Sequence, residues 1–254
     1  MSERDRYEPG VPCWVDILRP DPEAAMAFYG PLLGWEFAGP GPGGYHVARV
    51  RGRDVAGIGT GTPAAPGWTT YVAVESADVA AAAAEHAGGS VLTAPLDVAP
   101  AGRLAVLTDP AGAPFGAWEA GDRQGAQRVN EPGAWAISQL ATAGADGAEA
   151  FYGTLFGWTT EAFGPAFRLF RLPGYVGGEP EQPVSREVVA VMVTGEGPPA
   201  WTPDFWVDDV DATAARAAEL GGTAVVAPFD TPVGRAAVLA DAAGAAFSVS
   251  RVTP

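Results

Sequence analysis

The chain holds one cysteine, Cys13, and two histidines, His46 and His86, in 254 residues. A lone cysteine excludes an intrachain disulfide framework and suits a reducing compartment. His86 falls on an Ala-rich helical stretch and His46 on a strand, neither with an acidic or histidine neighbour at ligand spacing. Positive charge is also scarce: 15 Lys and Arg stand against 30 Asp and Glu, a formal net charge of −15. Such a chain repels a nucleic-acid backbone or an anionic membrane, and its acidity reads as solubility. Long hydrophobic runs are missing, so no segment is expected to span a bilayer. The first residues, "MSERDRYEPG", are charged and contain no hydrophobic signal core. No phosphate-loop pattern follows a strand, and "GPGPGG" (39–44) reads as a hairpin-like loop, so nucleotide binding has no support. The expectation is a soluble, cytoplasmic protein without nucleic-acid or membrane partners.

What is present is repetition. Apolar residues make up 48% and charged residues 18%, a globular balance. The 34 Gly and 24 Pro follow no short period and therefore punctuate many short elements. "FYGPLLGWEF" (28–37) returns as "FYGTLFGWTT" (151–160). "GGSVLTAPLDVAPAGRLAVLTDPAGAPF" (88–115) returns as "GGTAVVAPFDTPVGRAAVLADAAGAAF" (221–247). Trp14 aligns with Trp135, Trp35 with Trp158, Trp68 with Trp201, and the Asp97/Arg103 pair with Asp230/Arg235. A duplication of this length decides the architecture. The offset grows from 123 at Trp35/Trp158 to 133 at Trp68/Trp201, which places about ten extra residues in the second copy, within "PGYVGGEPEQPVS". The expected modules are 1–122 and 132–254, joined by a polar linker at 123–131.

Each copy reads as strand, helix and three strands, twice over. "DPEAAMAFYGPLLG" has Asp21 as N-cap, Pro22 at the first helical position and Gly34 as stop. "SADVAAAAAEHAGG" is a second helix capped by Ser76. The units are about 11–62, 66–120, 133–195 and 199–252, giving an α+β chain of four βαβββ units.

This order, with "D..EAAMAFYGPLLGW" after the first strand, "DP.G.PF" before the last and "VDDVDA" at 207–212, resembles the vicinal oxygen chelate superfamily. That group includes glyoxalase I, bleomycin resistance proteins and extradiol ring-cleaving dioxygenases. The resemblance covers both copies and implies two open, incomplete barrels, each cupping a ligand. Members that do metal chemistry place His, Gln or Glu on the first, fifth and eighth strands. Aligned here, those positions are Trp14, Thr69 and Gly116, then Trp135, Thr202 and Ser248. None has a side chain that binds a divalent cation strongly, so the expected protein uses no metal and no cofactor.

Alternation along the strands sorts the faces independently. Cys13, Val15 and Ile17 form an apolar stripe suited to lie under a helix, and Trp14, Asp16 and Leu18 form the other. The first cup is expected to contain Trp14, Asp16, Tyr71 and Trp118, and the second Trp135, Gln139, Asp204, Trp206 and Ser248. Aromatics with one acid suit a flat, mostly apolar molecule, or a cationic group held by charge and cation–π attraction. An aspartate in mid-strand is costly unless paired, solvated or met by a ligand, which singles out Asp16 and Asp204. Tyr71 reads as an aromatic wall or a general acid. Trp35 and Trp158 read as core, Cys13 as an inert buried thiol, and Arg103 and Arg235 as salt links to Asp97 and Asp230. Two functions follow. One is a metal-independent binding protein for an aromatic or heterocyclic metabolite or antibiotic. The other is a cofactor-free lyase, isomerase or cyclase using Asp16 or Asp204 as general base. A metal-dependent glyoxalase or dioxygenase lacks its ligands, and the fused chain is expected to act as a monomer or a weak homodimer.

Overall fold

The computed structural model describes residues 3–62, 67–164, 166–177 and 187–252. Four βαβββ units follow one another. The first is β1 (Pro12–Arg19), α1 (Pro22–Leu33), β2 (Glu36–Ala38), β3 (His46–Val50) and β4 (Arg53–Thr60). The second is β5 (Trp68–Val74), α2 (Ala77–His86), β6 (Ser90–Val98), β7 (Gly102–Thr108) and β8 (Pro114–Ala120). The third is β9 (Trp135–Thr142), α3 (Ala145–Phe156), β10 (Thr159–Ala162), β11 (Phe167–Arg171) and β12 (Val188–Thr194). The fourth is β13 (Ala200–Trp206), α4 (Val210–Glu219), β14 (Thr223–Thr231), β15 (Gly234–Ala240) and β16 (Ala246–Val252). Asp21 caps α1 by accepting the Ala24 N–H at 3.1 Å, Pro22 opens the helix and Gly34 closes it at φ +70°. Ser76 caps α2 and Asp209 caps α4 in the same way. The expected insertion lies between β11 and β12, and its residues 178–186 fall outside the described residues.

Units one and two share an eight-stranded sheet, ordered β2-β3-β4-β1-β5-β8-β7-β6. Units three and four repeat it as β10-β11-β12-β9-β13-β16-β15-β14. The units therefore pair within each copy. In both sheets the two central strands are antiparallel, β1 to β5 and β9 to β13, and each is flanked by a parallel partner.

The cores are shared differently. One cluster joins the helix face of unit one to that of unit four, bringing Trp35, Trp68 and Phe28 onto Phe205 and Phe247. The other joins units two and three, around Phe115, Tyr152, Trp158 and Trp201. Each sheet thus turns its helix-bearing side toward the other, and the opposite faces become the cups.

This arrangement explains why the Phe-Tyr phrase occurs twice. The Tyr29 hydroxyl accepts the Trp68 indole N–H at 3.0 Å in its own copy and donates to Asp241 Oδ2 at 3.1 Å in the other. Tyr152 reciprocates, with Trp201 at 2.8 Å and Asp109 at 3.3 Å. The Gly-Trp that follows also crosses: Trp35 donates to the Gly133 carbonyl at 2.6 Å and Trp158 to that of Gly10 at 2.7 Å. Asp241 is further paired with Arg19 at 2.9 Å, whereas no arginine meets Asp109 among the described residues. Removing either tyrosine hydroxyl strands a buried indole donor and takes one donor from a carboxylate, a loss of about 1–3 kcal/mol. Tyr152→Phe should cost more than Tyr29→Phe in urea denaturation, because Asp241 keeps its arginine.

The expected linker is not a free spacer. Ala126 and Val129 are buried, and the Ala126 and Gln127 amides donate to the carbonyls of Cys13 and Asp54. The segment is thereby laid along the mouth of the first cup. No helix among the described residues is long and apolar enough to cross a membrane.

Candidate functional site

The open face of the first sheet encloses a cavity of about 350 Å³. Trp14 and Asp16 reach it from β1, Tyr71 from β5 and Trp118 from β8, as alternation requires. Tyr45, at the entry to β3, and Arg123, from the segment after β8, complete the wall. These six residues build the site.

Asp16 is its polar centre. It is 5% exposed, and the Tyr45 hydroxyl donates to its Oδ2 at 3.0 Å. Tyr45 in turn accepts the Trp14 indole N–H at 2.9 Å. Asp16 Oδ1 is buried and has no hydrogen-bond partner among the described residues. Burial pushes the Asp16 carboxyl up to about 7, against the pull of the Tyr45 and Tyr71 phenols toward the charged form. Burial, and then the Asp16 charge, raise both phenols well above their ordinary value, so they remain protonated donors.

Three glycines make room for these tyrosines. A methyl on Gly57 or Gly59 would collide with Tyr45, and one on Gly116 would collide with Tyr71. Glycine inside a strand here serves close approach of a ring to the backbone. Above them the Arg123 guanidinium lies 5.3 Å from the Trp14 ring centroid and donates to Asp54 Oδ2 at 2.7 Å. The Trp118 indole N–H is taken by the Arg123 carbonyl at 2.9 Å.

The second copy is built on different chemistry. Gln139 stands opposite Thr202 where Asp16 stands opposite Thr69. Gln139 Nε2 donates to Ser248 Oγ at 3.0 Å, and Ser248 leans on the Pro203 carbonyl at 3.4 Å. Asp204, 3% exposed, takes the Ser250 hydroxyl on Oδ2, and its Oδ1 has no partner among the described residues. Burial raises its carboxyl to about 6, opposed by the Ser250 and Ser248 hydroxyls. The two aspartates are not repeat equivalents: Asp204 pairs with Ser248 as Tyr71 pairs with Gly116, so Asp204 occupies the tyrosine's position. Trp206 is half-buried at the end of β13.

Trp135 corrects the expectation for the second cup. Trp135 lies 121 residues after Trp14, whereas 123 separates Asp16 from Gln139, so Ile137, opposite Asp204, is the counterpart of Trp14 opposite Tyr71, and Trp135 is that of Pro12. Trp135 instead stands opposite Phe205 in the core between the sheets. Its indole donates to Ser138 Oγ at 3.2 Å, and Ser138 meets Thr70 of the other copy at 2.7 Å. Cys13 lies on the helix side as expected, and burial pushes its thiol far up, which leaves no nucleophile. Arg103 and Arg235 bridge Asp97/Asp78 and Asp230/Asp211 at the surface.

Residues 14–117 and 136–250 each match the Glyoxalase-like domain family. The chain belongs to that family. Among its relatives, "Putative glyoxylase CFP32" of Mycobacterium tuberculosis is 39% identical over 100% of this chain and 99% of its own length. "Anthracycline biosynthesis protein DnrV" of Streptomyces peucetius is 37% identical over 96% of this chain and 94% of its own. The glyoxalase-like fold is shared with a Mn(II)-bound glyoxalase from Novosphingobium aromaticivorans at TM-score 0.65, with 18% identity over 95% of this chain and 82% of that one. The 2,3-dioxygenase LapB from Pseudomonas sp. KL28 superposes at 0.64, with 11% identity over 96% and 93%. These two structures share the fold of the chain over nearly its whole length.

A metal centre of the kind such folds carry does not fit these residues. The inward positions of the central strands hold Asp16, Thr69 and Gly116 in one copy and Gln139, Thr202 and Ser248 in the other. One carboxylate in the first cup, and one amide with the Asp204 carboxylate in the second, fall short of the three or more strong donors a divalent cation needs. At Gly116 the Tyr71 ring occupies the space a ligand side chain would need. No three of His, Cys, Asp and Glu converge among the described residues.

Proposed function

We propose that this glyoxalase-like protein is a metal-independent small-molecule-binding protein that holds an aromatic or heterocyclic metabolite in its first cup. The observation that carries this reading is the cavity of about 350 Å³ walled by Trp14, Tyr45, Tyr71 and Trp118 around one buried carboxylate. Its size and apolar lining are those of a small-ligand pocket. A relative named for anthracycline biosynthesis, matched over nearly its whole length, favours the same kind of ligand. Thr69, Trp206, Thr202, Gln139 and Ser248 are assigned supporting places around the two cups. The buried, unpaired Cys13 suits a cytoplasmic protein, and the mutually covered helix faces suit a monomer or a weak homodimer.

Purified without chelators, the protein should contain far less than one transition metal per chain. Aromatic metabolites should quench its tryptophan fluorescence. Trp14→Phe, which keeps a ring but removes the donor to Tyr45, should weaken binding about tenfold or less while the fold persists. Stoichiometric manganese, iron or zinc together with turnover of a methylglyoxal–glutathione adduct or a catechol would overturn the reading.

A second reading is favoured by the Asp16 carboxyl itself. A carboxyl held near 7, beside the cavity and with one oxygen unpartnered, is suited to proton abstraction at neutral pH. In a cofactor-free lyase, isomerase or cyclase, Oδ1 would take the substrate proton. The Tyr71 phenol would then donate to the oxygen on which charge develops. Single-turnover rates distinguish the two readings, since Asp16→Asn would slow a reaction by orders of magnitude while substrate still binds.

A further inference from the structure

Asp16 lines the first cup, and its buried Oδ1 has no hydrogen-bond partner among the described residues. A buried acceptor left unpaired costs about 1–3 kcal/mol, so an occupant that supplies a donor removes that cost and one that cannot leaves it in place. Three neighbouring donors are already committed, while the Tyr71 phenol faces the Asp16 carboxyl itself. Tyr45 gives its proton to Oδ2, the Trp14 N–H goes to Tyr45, and the Trp118 N–H goes to the Arg123 carbonyl. A cationic occupant is disfavoured, because the Arg123 guanidinium already covers the Trp14 ring and would repel it.

Building on the proposed aromatic-ligand cup, we infer that it selects flat rings carrying a free hydroxyl or N–H on the edge that enters first. Asp16 Oδ1 reads that donor, and alkylation of the same oxygen or nitrogen abolishes recognition. Asp16 is thereby the specificity residue of the cup, and the aromatic walls supply sequence-independent stacking area.

The test compares 2-naphthol with 2-methoxynaphthalene by calorimetry at pH 8, on the full chain and on Asp16→Asn. The wild-type protein should bind the naphthol at least about tenfold more tightly. In the variant the Tyr45 proton holds the amide oxygen at the Oδ2 position, which turns the amide N–H₂ toward the cup. The preference should then vanish or reverse. Equal binding of both probes by the wild type would overturn donor selection while leaving the aromatic cup standing. A naphthol preference that survives in Asp16→Asn would assign the reading to another group. Failure of both probes to bind would defeat the aromatic cup and this inference with it.

Discussion

Asp16→Asn should stabilise the fold at pH 8 by about 2–4 kcal/mol, and by almost nothing at pH 4. The Asp16 carboxyl sits at about 7 in the folded protein, against about 3.9 in an unfolded chain. Below the lower value the group is neutral in both states, and its contribution is fully present. Between the two values the folded chain holds a proton that the unfolded chain has released, and stability falls as pH rises. Above 7 both states are charged, and the folded one carries a buried carboxylate whose cost is about three pKa units, or about 4 kcal/mol. The groups facing Asp16 are the Tyr45 and Tyr71 phenols and, from the segment after β8, Arg123. None of them forms an ion pair with it among the described residues. The amide keeps the Tyr45 hydrogen bond without the charge. Urea denaturation of both proteins from pH 4 to 8 should show the curves diverging toward 7 and running parallel beyond it. An Asn variant less stable than the parent at pH 8 would mean that Asp16 is held as a paired carboxylate. A residue that costs stability and is nonetheless present marks a site shaped by function.

Much of that site was legible in the sequence. Period-two alternation on β1 and β5 sorts Trp14, Asp16 and Tyr71 from Cys13, Val15, Thr70 and Val72. Trp118 follows from the same logic on β8. The two copies, their four units and the caps at Asp21 and Ser76 are readable because turn and cap chemistry is local. Tyr45 and Arg123 were not found, since each enters the cup from a segment without alternation. A signal for Tyr45 was present all the same: Gly57 and Gly59 occupy one face of a strand at spacing two, which leaves a trough for a ring. Trp135 misled because it matches Pro12 and not Trp14, beyond an irregularity that β1 and β9 share and that exchanges the faces before it, and identical tryptophans invite alignment by residue type over register. The Phe-Tyr phrase was legible as a repeat but not as a clasp, because its partners, Asp241 and Asp109, lie in the opposite copy.

Gly57→Ala should reduce binding of 2-naphthol by at least about tenfold, a larger effect than adding one methyl group to most strands would produce. The added carbon would occupy the space of the Tyr45 hydroxyl, so the ring must leave the sheet. Tyr45 borders the cavity, and a phenol displaced into it competes with the ligand. Asp16 simultaneously loses the donor on Oδ2, which removes one of the forces holding its carboxyl down and sends it above its present value. Gly147→Ala is the natural comparison. That glycine lies in α3 with open space around the added carbon, and the change should stabilise the chain by about 0.5–1 kcal/mol without altering binding. Tyr45→Phe then separates the two consequences of Gly57→Ala, since it keeps the wall and removes only the proton donated to Asp16. If Tyr45→Phe binds the naphthol nearly as well as the parent while Gly57→Ala does not, the position of the ring is what matters. If both lose affinity alike, the hydroxyl is the essential part. Should Gly57→Ala bind as the parent does, Tyr45 is no wall of the ligand site and the cup must be drawn without it.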